Sequence, residues 1–277
     1  MSTIDTQGIS LYYELHGDRD NPPVLLLSGL AGVGASWSSQ ISRFAARYFV
    51  IVPDQRGTGR SSRTDVGHST EQLAADMASL VDNLGVGPTH VVGASTGGAI
   101  AQYMALNHPR TVATLTLVAS FARFDAYLRR QFAARRKMAA EWGREALLSA
   151  YSVFLFSPTF ARDNPEKVSA WIKGAAALPM QPRDTEIALR RIDMIAAHDT
   201  LDRLGHIMQP TLAICGEHDF CTPLPLSQEI AAAIPDTKLV IPACGHFVEH
   251  ELETQFFDLV SGFIEQLRKL APNTNSG

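Results

Sequence analysis

Short, nearly continuous apolar runs recur along this chain, each followed by a stretch of helical periodicity, and that rhythm restricts the fold more than any other feature. The runs at 24–27, 49–52, 90–92 and 113–118 alternate with helical stretches at 37–48, 70–84 and 97–107. Strands that are apolar on both sides must be covered on both sides, which means a mostly parallel, doubly wound sheet with helices on each face. The opening segment, 9–15, alternates polar and apolar residues instead and reads as an antiparallel edge strand. After Ser120 the rhythm stops. Residues 121–205 carry helical periodicity, concentrated arginines and aromatics, and no convincing strand; the strand–helix rhythm returns at 211–215, 226–233, 238–241 and 251–270. The expected organisation is one α/β core domain, 1–120 and 206–277, interrupted by a helical cap insertion, 121–205. The polar tail, 272–277, is expected to fray.

Composition excludes several classes. With 277 residues, 45% of them hydrophobic and 19% charged, the chain has material for a sizeable core. A net charge of −4 and the lack of a long basic run argue against nucleic acid as a partner. The N-terminus lacks the basic start and apolar stretch of a secretory signal, and no apolar run approaches membrane-spanning length. A cytoplasmic protein with no membrane partner is therefore expected. Cys215, Cys221 and Cys244 have neither zinc-site nor disulfide spacing and read as packed thiols.

The sharpest chemical signal is Gly93-Ala94-Ser95-Thr96-Gly97-Gly98, between an apolar run and a helical one. Gly-x-Ser-x-Gly in that setting is a nucleophile elbow: serine sits on a strained turn, and the glycines let neighbouring chain approach. The helix that starts there aims its free N–H groups and positive dipole end at the same point, which suits a developing oxyanion. Serine needs a base, and the base needs an orienting acid. The run at 211–215 leads into Gly216-Glu217-His218-Asp219, and 238–241 leads into Pro242-Ala243-Cys244-Gly245-His246. Ser95, Asp219 and His246 thus fall just beyond three strand ends, in the order that accompanies such an elbow. A neutral His246 acting as the base implies activity that rises through roughly pH 6–7.

On these motifs the chain resembles the α/β-hydrolase superfamily over nearly its whole length. Ser28-Gly29-Leu30-Ala31-Gly32 looks like the family's oxyanion loop, and Asp54-Gln55-Arg56-Gly57-Thr58-Gly59 like the turn after the next strand. The resemblance implies that the backbone N–H groups of Leu30 and Thr96 form the oxyanion hole. Where many members place histidine before the first loop glycine, this chain has Ser28. Arg129-Arg130-Gln131-Phe132, with Arg135, and Phe154-Leu155-Phe156-Ser157-Pro158 resemble the cap of aminoacrylate hydrolases and 3-oxoadipate enol-lactonases. This implies a small, carboxylated substrate and an ester, enol-lactone or enamine-type amide bond. A carbon–carbon bond hydrolase and a non-catalytic small-ligand receptor are the alternatives on the same fold. Some relatives carry the acid after the strand that follows the elbow helix, which makes Asp125 the competitor of Asp219.

Other readings are weaker. The order of Gly29, Gly32 and Gly34 does not fit a dinucleotide fingerprint, and there is no Walker lysine. His246 and His250 lack the glutamate of a zinc protease motif, so neither metal nor other cofactor is expected. His218 reads as a loop residue. Trp37, Phe121 and Phe247 are candidate substrate-binding aromatics. Arg135 falls inside the apolar stripe that Phe124, Leu128, Phe132, Ala139 and Trp142 form at 100° per residue, so it is the candidate for a substrate carboxylate; an ion pair to Glu141 or Glu145 would explain it equally. A homodimer is left open.

Overall fold

The computed structural model describes residues 2–270; the tail expected to fray, 272–277, lies outside them. Eight strands are found: β1 (Ser2–Thr6), β2 (Ile9–His16), β3 (Pro23–Leu27), β4 (Phe49–Pro53), β5 (Thr89–Ala94), β6 (Val112–Val118), β7 (Thr211–Ile214) and β8 (Thr237–Val240). They form one sheet in the order β1-β2-β4-β3-β5-β6-β7-β8. From β4 to β8 every neighbouring pair is parallel, whereas β1 and β2 run antiparallel. The segment at 9–15 is antiparallel as expected, but it is not the edge. β1 covers it, register Ser2↔Tyr13 to Thr6↔Ile9. The sequence Ser-Thr-Ile-Asp-Thr has no apolar run to announce that strand. The turn is made by Gln7 and Gly8, both at positive φ (48° and 76°), the conformation that joins tightly twisted hairpin strands.

Each sheet face carries its own core, because successive strand residues point to opposite sides. Leu25, Leu27, Ile51, Val91, Leu115 and Leu117 pack on one face, beneath α2 (Thr70–Leu84) and α3 (Thr96–Asn107). Val24, Leu26, Val50, Val52, Val92, Leu212 and Ile214 pack on the other, where α1 (Ser38–Ala45) supplies Phe44 and α11 (Glu253–Leu270) supplies Phe256, Val260 and Ile264. This two-sided burial is the physical content of the near-continuous apolar strands. Helix α2 begins where the Ser69 hydroxyl accepts from Gln72 N–H at 3.0 Å and stops at Gly85, whose φ of +63° favours glycine.

Between β6 and β7 the chain runs through α4 (Ala126–Glu141), α5 (Arg144–Leu155), α6 (Pro158–Asp163), α7 (Pro165–Ala176) and α8 (Asp184–Ala196). Two shorter segments complete the fold: α9 (Leu224–Ala233) follows β7, and α10 (Val248–Glu251) follows β8. The α4 stripe ends earlier than its periodicity implies. Trp142 has extended backbone (ψ 154°) and is half exposed, because the helix closes at Glu141. No helix among the described residues is long and apolar enough to cross a membrane.

Candidate active site

Ser95 occupies the turn between β5 and α3 with φ 53° and ψ −117°, a strained conformation for a residue with a side chain. Its N–H donates to the Val118 carbonyl (2.7 Å), and its carbonyl accepts from Gly98 N–H (2.9 Å) and the Ser120 hydroxyl (2.9 Å). The glycines are steric necessities here. A Cβ on Gly97 would lie 2.1 Å from the Leu27 carbonyl oxygen, and one on Gly93 would lie 2.4 Å from that of Gly97. Thr96 opens α3 and is buried, at the helix end whose N–H groups lack intrahelical acceptors.

His246 and Asp219 come from the loops after β8 and β7 and meet at 2.9 Å, Nδ1 donating to Oδ2, in a nearly fully buried pair. The loops are stitched together: His218 N–H donates to the Cys244 carbonyl (2.9 Å) and Glu217 N–H to that of Pro242 (2.9 Å). The other Asp219 oxygen, Oδ1, accepts from the N–H groups of Cys221 and Thr222, both at 2.8 Å, and the Thr222 hydroxyl reaches Oδ2 at 3.0 Å. A carboxylate gripped this way is fixed in orientation and cannot turn away. Burial opposes protonation of His246, but the charge and hydrogen bond of Asp219, with the adjoining Cys221, outweigh it and hold the imidazole pKa well above its ordinary value. The expectation of a titration at pH 6–7 thus shifts upward.

Asp125 is occupied elsewhere: its carboxylate caps α4, accepting from Leu128 N–H at 2.8 Å. Of the two candidate acids, only Asp219 is hydrogen-bonded to His246.

Ser95, His246, Leu30, Trp37, Phe247 and Arg135 all line one cavity of about 500 Å³, a volume suited to a small molecule. Phe121 does not. It is buried in the core, packed edge-on against Phe124 and His198 at 5.7 and 5.4 Å between ring centres, while its carbonyl accepts from Gln102. Its ring is a core element, since β6 ends at Val118 and the following segment turns inward before α4. Trp37 both lines the cavity and stacks on Phe256 in the core. The Arg135 guanidinium lies over the Tyr151 ring at 4.0 Å and the Phe132 ring at 5.6 Å, with α4 presenting it inward. Neither Glu141 nor Glu145 is paired with it; Arg136 takes the outward ion pair, to Asp193 at 3.4 Å. Arg144, at the start of α5, also lines the cavity.

Two residues that sequence reasoning missed connect the inserted helices to these loops. Arg191 of α8 is fully buried, and desolvation pushes its pKa down to about 10. Its guanidinium donates to the Leu30 carbonyl (2.7 Å), the Gln55 side-chain oxygen and the Arg56 carbonyl (3.4 Å). Gln55 in turn donates to the Ser28 carbonyl at 2.7 Å, so Arg191 and Gln55 clamp the loop that carries Leu30. Glu251 accepts from Ser157 N–H and hydroxyl (2.6 and 2.7 Å) and from Gly245 N–H (3.1 Å), tying the entry of α6 to the His246 loop. Neither declares itself in the sequence, because each joins chain segments far apart in it: Arg191 reaches Leu30, and Glu251 reaches Ser157. Arg191→Met is expected to lower kcat by about tenfold to a hundredfold with little change in KM, and to cost about 1–3 kcal/mol of stability from the stranded acceptors. Kinetics together with thermal melts check this; a lower melting temperature with unchanged kcat would make the residue purely structural.

The chain matches the family model described as the α/β-hydrolase fold over residues 22–251. It belongs to the α/β-hydrolase family. It is also 37% identical over 259 residues to a protein of Azorhizobium caulinodans named as a carbamate hydrolase, RutD, covering 93% of this chain and 96% of that protein. A solved thermophilic esterase from Thermogutta terrifontis, with malate bound, superposes with a TM-score of 0.80 at 27% identity, covering 96% of each chain. The enol-lactonase of Burkholderia xenovorans superposes with a TM-score of 0.85 at 24% identity, over 95% of this chain and all of that one, and shares the fold. This α/β-hydrolase is accordingly a hydrolytic enzyme.

Proposed function

We propose that the chain is a serine hydrolase that cleaves an ester, enol-lactone, carbamate or enamine-type amide bond of a small, carboxylated molecule. The observation that carries this reading is the strained Ser95 opening onto the same cavity as the Asp219-bound His246. Ser95 Oγ attacks the substrate carbonyl carbon, His246 Nε2 takes its proton, and Asp219 holds the imidazole. The N–H groups of Leu30 and Thr96 receive the oxyanion. Collapse expels the leaving group, which takes the proton from His246; water, activated by the same imidazole, then releases the acyl group from Ser95. The helices α4–α8 act as the cap over this cavity. The relatives named as carbamate hydrolases support a carbon–nitrogen bond among the targets, and the esterase and enol-lactonase folds are compatible with carbon–oxygen bonds.

A fluorophosphonate probe and a short-chain nitrophenyl ester test the reading. Rapid labelling that maps to Ser95, together with turnover, is expected; failure of both would leave a ligand-binding protein. Arg135 supplies the carboxylate site: its charge faces the cavity, stacked on aromatics and free of an ion pair among the described residues. Arg135→Ala should raise KM for an acidic substrate about tenfold to a hundredfold, the scale of one charge-assisted contact, and spare a neutral ester. Equal losses on charged and neutral substrates would reduce Arg135 to packing.

A further inference from the structure

The cavity that Arg135 and Arg144 line also holds an acidic side chain. Glu249, on α10 and three residues beyond His246, is only 5% exposed and lines the cavity. Among the described residues its Oε2 has no hydrogen-bond partner, unlike Glu251, whose carboxylate is fully engaged. Gln40 cannot compensate: its amide nitrogen is committed to the main-chain carbonyls of Glu249 (2.8 Å) and Glu253 (3.1 Å), and its own oxygen is buried without a partner. The nearby cation Arg43 pairs with Glu253 instead. The indole N–H of Trp37, which also lines the cavity, is unpartnered too. A buried carboxylate without a donor is costly, so this corner is built to receive one.

We propose that Glu249 accepts hydrogen bonds from an N–H group of the ligand, an amino or carbamoyl nitrogen, while the guanidinium groups that line the same cavity take an acidic group. An acceptor carboxylate and guanidinium groups in one cavity select a ligand that carries both an N–H donor and an acidic group. The idea rests on the reading of this cavity as the substrate site, and it names the nitrogen side of that substrate.

The test uses binding, so it succeeds or fails independently of turnover. The full chain carrying Ser95→Ala is titrated by solution NMR with n-butylammonium and with n-butanol, which match in size. The ammonium is expected to bind at least about tenfold more tightly, the preference collapsing in Glu249→Gln and surviving in part in Glu249→Asp. Because the glutamine variant could fail to fold, a water-soluble carbodiimide is also applied to the unsubstituted protein. Labelling of Glu249, mapped by peptide mass, should be suppressed by butyramide, whose N–H groups do not react with the activated carboxyl, and not by n-butanol. No preference for the ammonium, a preference that persists in Glu249→Gln, or labelling unaffected by butyramide would overturn the proposal. Loss of fluorophosphonate labelling with the amine preference intact would instead remove the hydrolytic reading and leave the nitrogen site standing.

Discussion

Ser95→Ala is expected to lower kcat/KM for a short-chain ester by at least about ten-thousand-fold and to abolish fluorophosphonate labelling while the fold persists. The size follows from the elbow. Removing the nucleophile leaves only binding and the oxyanion donors, and members of such a constellation act as a unit. The fold should survive because the local hydrogen bonds of Ser95 run through its backbone: to Val118, from Gly98 and from Ser120. Alanine keeps these backbone bonds and can occupy the same strained turn. A thermal melt alongside the kinetics separates the outcomes. A folded variant that kept more than about a tenth of the activity would place the nucleophile elsewhere.

The sheet was legible because buried parallel strands have to be apolar on both faces, and 24–27, 49–52 and 113–118 could be read directly as such. Ser95, Asp219 and His246 were legible as candidates for a related reason: each follows a strand end within a few residues, where local pattern marks it. β1 was not, because an edge strand half open to water needs no apolar run. Phe121 was misplaced because an aromatic near a strand end looks the same in sequence whether it faces a cavity or the packed core. Arg191, Glu251 and Glu249 escaped for a different reason. Their meaning lies in partners about 94 to 161 positions away for the first two, and in the absence of partners for the third. Arg135, which lines the cavity, was open to helical register, since an arginine inside an apolar stripe is a conflict visible in one element.

Asp219→Asn should cost about a thousandfold to ten-thousandfold in kcat, against a change of less than about threefold for Asp125→Asn. The asymmetry comes from what each carboxylate does. Asp125 caps α4 by accepting one N–H bond, a task that asparagine performs equally well. Asp219 accepts two N–H bonds and one hydroxyl at fixed distances and then faces His246 Nδ1. An amide there can present its NH2 to Nδ1, which fixes the wrong tautomer and removes the charge that stabilises the imidazolium. The pH profile supplies an independent readout. The base works only when neutral, so activity falls as pH drops through the pKa of His246. In the unsubstituted enzyme that acid limb should lie above the ordinary histidine range, because burial is outweighed by Asp219 and Cys221. Without the Asp219 charge, burial should prevail, and the residual activity of the asparagine variant should persist to lower pH. Side-by-side profiles of the two variants check both points. A larger loss in Asp125→Asn would transfer the acid to α4, and an acid limb unmoved by Asp219→Asn would mean that a group other than His246 is the base.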